Sequence, residues 1–220
     1  MNILGIVVSI AFIFLIIGMS TFLTNKKIFS GESSRKFIHI GVANWWIIAM
    51  IFFDNPLWAS IVPALFIIIN YISYKKQVFK AMERGKGKSD LGTVYYAISL
   101  FILSIATFWE GMDPYIGAMG VLVMGYGDGF AAVIGEKYGK HKFNVMGGKK
   151  SLEGAAAMFI ASFIVAFIIA QLAGNSCIWF LPLSLAMIAT LVEMFSPYGT
   201  DNLTVPLITS ISYYFLWCNF

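Results

Sequence analysis

Charge is what this sequence has least of. Only 12% of its 220 residues are Asp, Glu, Lys or Arg, against 59% apolar, and the mean hydropathy is +0.81. A soluble domain carries about 25% charge, so a water-solvated fold is excluded and an integral membrane protein is implied. Cysteine is nearly absent: Cys177 and Cys218 show no metal or redox spacing and read as ordinary apolar-helix residues. Internal repeats, low-complexity tracts and the pseudo-repeats of many secondary transporters are missing too. With each span taking about 20 residues, the length serves one bundle of helices and leaves little for a soluble domain. The expectation is a single transmembrane catalytic domain over residues 1–220. Its first apolar run, Ile3 to Leu23, is too long for a signal peptide and lacks a basic start, so it reads as a retained helix.

The fifteen Lys and Arg residues fall in three windows, Lys26 to Lys36, Lys75 to Lys88 and Lys137 to Lys150, and no Lys or Arg follows. Between windows lie segments long enough for two spans, each with a polar turn, Asp54-Asn55-Pro56 and Glu110 to Pro114. Helical hairpins that leave and return to the basic side fit this pattern, and the positive-inside bias puts that side in the cytosol. The reading is all-α: about eight spans near 3–23, 37–53, 57–74, 92–109, 114–135, 153–173, 177–195 and 203–219, or seven with a tilted or re-entrant final segment carrying Pro206. Both termini then lie outside, in a cell membrane or endomembrane.

The fifth span carries an acid where acids are expensive. Gly125, Asp128, Gly129, Ala132 and Gly135 recur at steps of three and four, forming one narrow seam. The glycines alone serve helix packing. Asp128, about 12 Å from the cytosolic end, is too deep to reach bulk water and points to a cation or a water-filled cavity. The following loop is basic and glycine-broken: Gly147, Gly148, Lys149, Lys150 and Ser151 precede a helix starting near Leu152, whose free N–H groups suit a phosphate. It lacks the Walker A order, and lipid headgroups are the plainer partner for such a loop. Glu153 is either a helix-dipole partner or a carboxylate sharing a magnesium ion with Asp128. Arg35, Lys36 and His39 open the second span, with Arg35 and His39 on one face as weaker candidates for phosphate contact. Asp201 and Asn202 cap the last helix or face the same cavity. His141 reads as solvent-facing, and Glu193 has no assigned role.

GDGFAAVIGEKYGKHKF at 127–143 followed by KKSLEG resembles the signature of the CTP-dependent lipid kinases, the family of dolichol kinase, phytol kinase and the fungal diacylglycerol kinase. RKFIHIG at 35–41, GTVYY at 92–96 and SPYGTDNLTVP at 196–206 resemble its other landmarks in order. The resemblance implies an all-helical membrane enzyme that uses CTP, with Mg2+ or another divalent cation, to phosphorylate a lipid alcohol in the bilayer: phytol, a farnesol-type alcohol, dolichol or diacylglycerol. Asp128 and Glu153 would hold the metal, Asp128 alternatively taking the hydroxyl proton. Lys149, Lys150, Ser151 and the Gly147-Gly148 backbone would hold the triphosphate. No nucleic-acid partner is implied, and the small-residue faces suit a homodimer. Phosphatidate cytidylyltransferases share a related acidic helix and Lys-x-x-Glu-Gly element but end in basic motifs absent here. A transporter or lipid-binding protein using Asp128 as an ion site is the non-enzymatic alternative.

Overall fold

A computed structural model describes residues 1–29, 31–76, 91–145, 148–174 and 179–218. Gly147, Cys177 and most of the second basic window therefore lie outside the described residues. Those described form nine α-helices and one two-stranded hairpin: α1 (Asn2–Asn25), α2 (Gly31–Ala43), α3 (Trp45–Phe52), α4 (Pro56–Lys76), α5 (Gly92–Thr107), α6 (Pro114–Tyr138), β1 (Lys142–Val145), β2 (Gly148–Ser151), α7 (Leu152–Leu172), α8 (Phe180–Phe195) and α9 (Asp201–Cys218). The chain is an all-α membrane protein. Helices α1, α4, α6 and α7 are long and apolar enough to cross a bilayer, and α5 and α8 are apolar but shorter. The helices group into two compact units, Met1–Pro114 and Tyr115–Phe220.

In Met1–Pro114, α1 packs on α2, α3 and α4, and α4 on α5. Its centre is aromatic, with Trp45 and Trp46 fully buried in edge-on contact and the Trp46 indole N–H donating to the Pro114 carbonyl at 3.0 Å. Small or hydroxylated residues let the helices close. A Cβ on Gly5 would lie 2.5 Å from the Phe52 Cβ. The Ser20 hydroxyl bonds the Ser34 carbonyl at 3.0 Å and its hydroxyl at 2.6 Å, and the Asn70 amide donates to the Thr93 carbonyl at 3.0 Å. Such pairs satisfy polar groups that lipid cannot.

The segment expected as one span over 37–53 is two helices, broken at Asn44. The Asn44 side chain donates to the Ile40 carbonyl at 2.9 Å, while its backbone N–H turns to Gly41 at 3.1 Å. A side-chain amide thus takes the acceptor that an unbroken helix would give to the main chain, and the turn tightens.

In Tyr115–Phe220, α6 is the central element, buried continuously from Ile116 to Gly125. Its glycines explain how one helix is covered on several sides. A Cβ on Gly127 would fall 2.5 Å from the Met158 sulfur and 2.7 Å from the Ser162 hydroxyl of α7, and one on Gly120 would strike the Pro206 carbonyl of α9. Helix α7 packs on α8, and α8 on α9. Pro206 removes a backbone donor inside α9, yet the helix continues through it.

The basic loop expected after α6 is a β-hairpin. Lys142 pairs with Ser151, Phe143 with Lys150, Asn144 with Lys149 and Val145 with Gly148. Alternation puts Phe143, Val145 and Lys150 on one half-buried face and leaves Lys142, Asn144 and Lys149 exposed on the other.

Candidate active site

The hairpin leads straight into α7 through Ser151, whose extended backbone and side-chain oxygen cap the helix by accepting the Gly154 N–H at 3.1 Å. Gly154 then lets α7 cross α6 closely, since a Cβ there would sit 3.0 Å from the Ala131 carbonyl, one turn beyond Asp128. Helix start, hairpin and buried aspartate are therefore brought to one level by the absence of side chains at Gly135 and Gly154.

From the other side come the end of α8 and the start of α9. The connection between them, Ser196 to Thr200, reverses through two consecutive left-handed residues, Tyr198 (φ 54°) and Gly199 (φ 79°). Glycine takes that conformation freely, while tyrosine pays about 1 kcal/mol. Hydrogen bonds hold the reversal: Ser196 and Thr204 hydroxyls meet at 2.7 Å, and the Asn202 amide donates to the Gly199 carbonyl at 3.1 Å. The result sets Glu193, in the last turn of α8, beside Asp201, in the first turn of α9.

Asp128, Glu193 and Asp201 each present a carboxylate oxygen within 4.8 Å of the others. Asp128 and Glu193 are each only 5% exposed. Like charges at this separation repel by about 4 kcal/mol per pair even in a moderately polarisable interior. Lys150 offsets one charge: its ammonium pairs with the Glu193 carboxylate and also donates to the Glu193 carbonyl at 3.0 Å. Three carboxylate oxygens this close, two of them on buried residues, form the donor set of a candidate site for a hard cation. Asn202 orients one acid, with its backbone N–H and side-chain amide bonding Asp201 Oδ1 at 2.9 and 3.1 Å.

The residues singled out in the sequence are thus distributed as follows. Asp128 and Asp201 come together, with Asn202 adjoining. Lys150 reaches them, whereas Lys149 faces outward from the opposite side of the strand. Glu153 is outside the cluster and is engaged by His141, whose Nδ1 lies 2.7 Å from Glu153 Oε1. Ser151 serves as the α7 cap. Arg35, Lys36 and His39 belong to the Met1–Pro114 unit, where Arg35 pairs with Glu32, Lys36 is buried and the His39 ring lies 4.6 Å from that of Tyr96. The sequence reading assigns Glu193 no role. The signal was there, because it is the sole charged residue between Glu153 and Asp201, and an ionisable group in an apolar helix is a functional candidate by the same argument as Asp128.

No family model and no solved structure matches the chain. Among curated proteins, it is 34% identical to the phytol kinase of Synechocystis sp., over 80% of this chain and 76% of that one. It is 32% identical to the probable phytol kinase 1, chloroplastic, of Oryza sativa subsp. japonica, over 89% of this chain and 68% of the relative. The phytol kinase 1, chloroplastic, of Arabidopsis thaliana is 28% identical over 87% of this chain and 69% of its own length. Identity of this degree along most of both chains, over a membrane-helix fold with a buried acidic site, settles the family: the chain belongs to the phytol kinases.

Proposed function

We propose that this protein transfers the γ-phosphoryl group of CTP to the hydroxyl of a membrane-embedded isoprenoid alcohol of the phytol type, giving the lipid monophosphate and CDP. The observation that carries the reading is the meeting of Asp128, Glu193 and Asp201 beside Lys150 at the hairpin's end. The family supports a kinase acting on such an alcohol; the choice of CTP rests on the motif resemblance.

Phosphoryl transfer asks chiefly for in-line positioning and neutralised phosphate charge. Asp128, Glu193 and Asp201 would hold a magnesium ion, which when bound supplies charge neutralisation to the nucleotide phosphates. Lys150 pairs with Glu193 and holds it in place as an acceptor. Lys149, exposed on the hairpin, contacts the triphosphate as a point charge, with the Gly148 backbone beside it. The alcohol oxygen attacks the γ-phosphorus, the bond to the β,γ-bridging oxygen breaks, and the hydroxyl proton passes to a carboxylate of the cluster, Asp128 in our assignment. Because Asp128 lies in a bilayer-length helix, the alcohol can present its hydroxyl with its tail still among acyl chains. The positive-inside bias of the basic loops supports a cytosolic-facing site.

The test is incubation of the purified protein with γ-labelled CTP, magnesium and a panel of phytol, farnesol-type alcohols, dolichol and diacylglycerol. Labelled lipid monophosphate and unlabelled CDP are expected. Release of pyrophosphate with a CDP-lipid would overturn the kinase reading in favour of cytidylyl transfer, and preference for ATP over CTP would overturn the donor.

A further inference from the structure

The hairpin has only four residue pairs, and a two-stranded hairpin of that size is marginal in water by itself. Its base, however, is fastened. The Leu152 N–H donates to the His141 carbonyl at 3.1 Å, the His141 N–H points at both Glu153 oxygens at 3.3 Å, and His141 Nδ1 meets Glu153 Oε1 at 2.7 Å. The residue just before β1 is thereby tied to the first turn of α7. That turn is itself set against α6 through Gly154, the Ala131 carbonyl and the Gly135 Cα. An unanchored strand pair is joined to a packed helix by one imidazole and one carboxylate.

What the clasp governs is the register of the two lysines. Lys149 and Lys150 stand on opposite faces, so a shift or fraying of β2 moves both at once. We propose that His141 is a positioning residue for nucleotide binding: by clasping Glu153 it holds the hairpin so that Lys150 stays on Glu193 beside the clustered acids while Lys149 is kept on the exposed face, open to phosphate from solution. The proposal rests on the kinase reading above. It gives Glu153 a mechanical duty and leaves metal holding to the three clustered acids. Sequence spacing gives no hint of it, since His141 and Glu153 are twelve residues apart, on either side of the two strands.

The experiment compares the full chain with His141→Ala, His141→Asn and Glu153→Gln in detergent or nanodiscs. His141→Ala should raise the KM for CTP about five-fold, the worth of one side-chain hydrogen bond, and leave kcat within about two-fold. His141→Asn, whose amide nitrogen can occupy the place of Nδ1, should return KM to within about two-fold of the parent. The magnesium concentration for half-maximal rate should be unchanged in His141→Ala and Glu153→Gln. Trypsin should cut at Lys142 and Lys149 faster in His141→Ala than in the parent or His141→Asn. An unaltered KM in His141→Ala, or a raised magnesium requirement in Glu153→Gln, overturns the proposal. Absence of CTP turnover in the parent would sink the kinase reading instead, and the tryptic comparison would still judge the clasp: equal cleavage rates in all variants refute it.

Discussion

The two compact units bury polarity in different ways. Met1–Pro114 uses neutral pairs, Ser20 with Ser34 and Asn70 with the Thr93 carbonyl, and on α2 the half-buried Arg35 is matched by a half-buried Glu32 near the buried Lys36. Tyr115–Phe220 gathers three acids at the meeting of four helices and a hairpin. Neutral hydrogen bonds inside a membrane protein hold helices together and ask nothing of solution. Three close carboxylates with one lysine bonded to Glu193 are a poor way to hold helices, because removing them from water costs several kcal/mol per ion before any attraction is counted. The contrast makes the acidic cluster of the second unit the candidate for the proposed chemistry.

Four changes test that division. The largest effect is expected from Asp128→Asn, which should lower kcat/KM about a thousand-fold by removing a metal and proton acceptor, with thermal unfolding in the absence of divalent ions little changed; a loss under ten-fold in the CTP assay would move the reaction away from this cluster. Stripping divalent ions with a chelator comes next. At a hundred times its dissociation constant the ion stabilises the parent by about 2.7 kcal/mol, so chelation should lower its Tm, while Asp128→Asn should show no such shift. Lys150→Met leaves Glu193 without its ammonium. Discounted for the partial exposure of Lys150, about 2 kcal/mol of stability should go, and the double change Lys150→Met with Glu193→Leu should restore most of it in a thermal melt. Smallest is Asn70→Ala, costing about 1 kcal/mol through the lost bond to the Thr93 carbonyl. Measured kcat should stay at the parental value, and a collapse of turnover there would erase the distinction between the units.

How much of this was legible beforehand differs by element. Helix existence was plain because bilayer thickness dictates run length and turn residues mark the ends: α4 at 56–76 and α7 at 152–172 fall within two residues of expectation. The break at Asn44 was not, since it comes from one side-chain amide competing for a carbonyl. Nor was the hairpin: Lys142–Val145 and Gly148–Ser151 are short, and three lysines in eight strand residues disguise a half-buried face. Asp128 announced itself by its cost in hydrocarbon. Glu193 and Asp201 join it only because a left-handed Tyr198-Gly199 corner folds α9 back on α8, and long-range proximity of that kind leaves no trace in residue spacing. Glu153 looked like a ligand from its place beside two lysines, yet its carboxylate is taken by His141.

The alternation in β2 has an evolutionary corollary. Neighbouring codons encode two ammonium groups that are chemically identical but report to different addresses, one inward to Glu193 and one outward. Swapping their order changes nothing, whereas inserting a single residue between Lys150 and the α7 cap at Ser151 would reassign both.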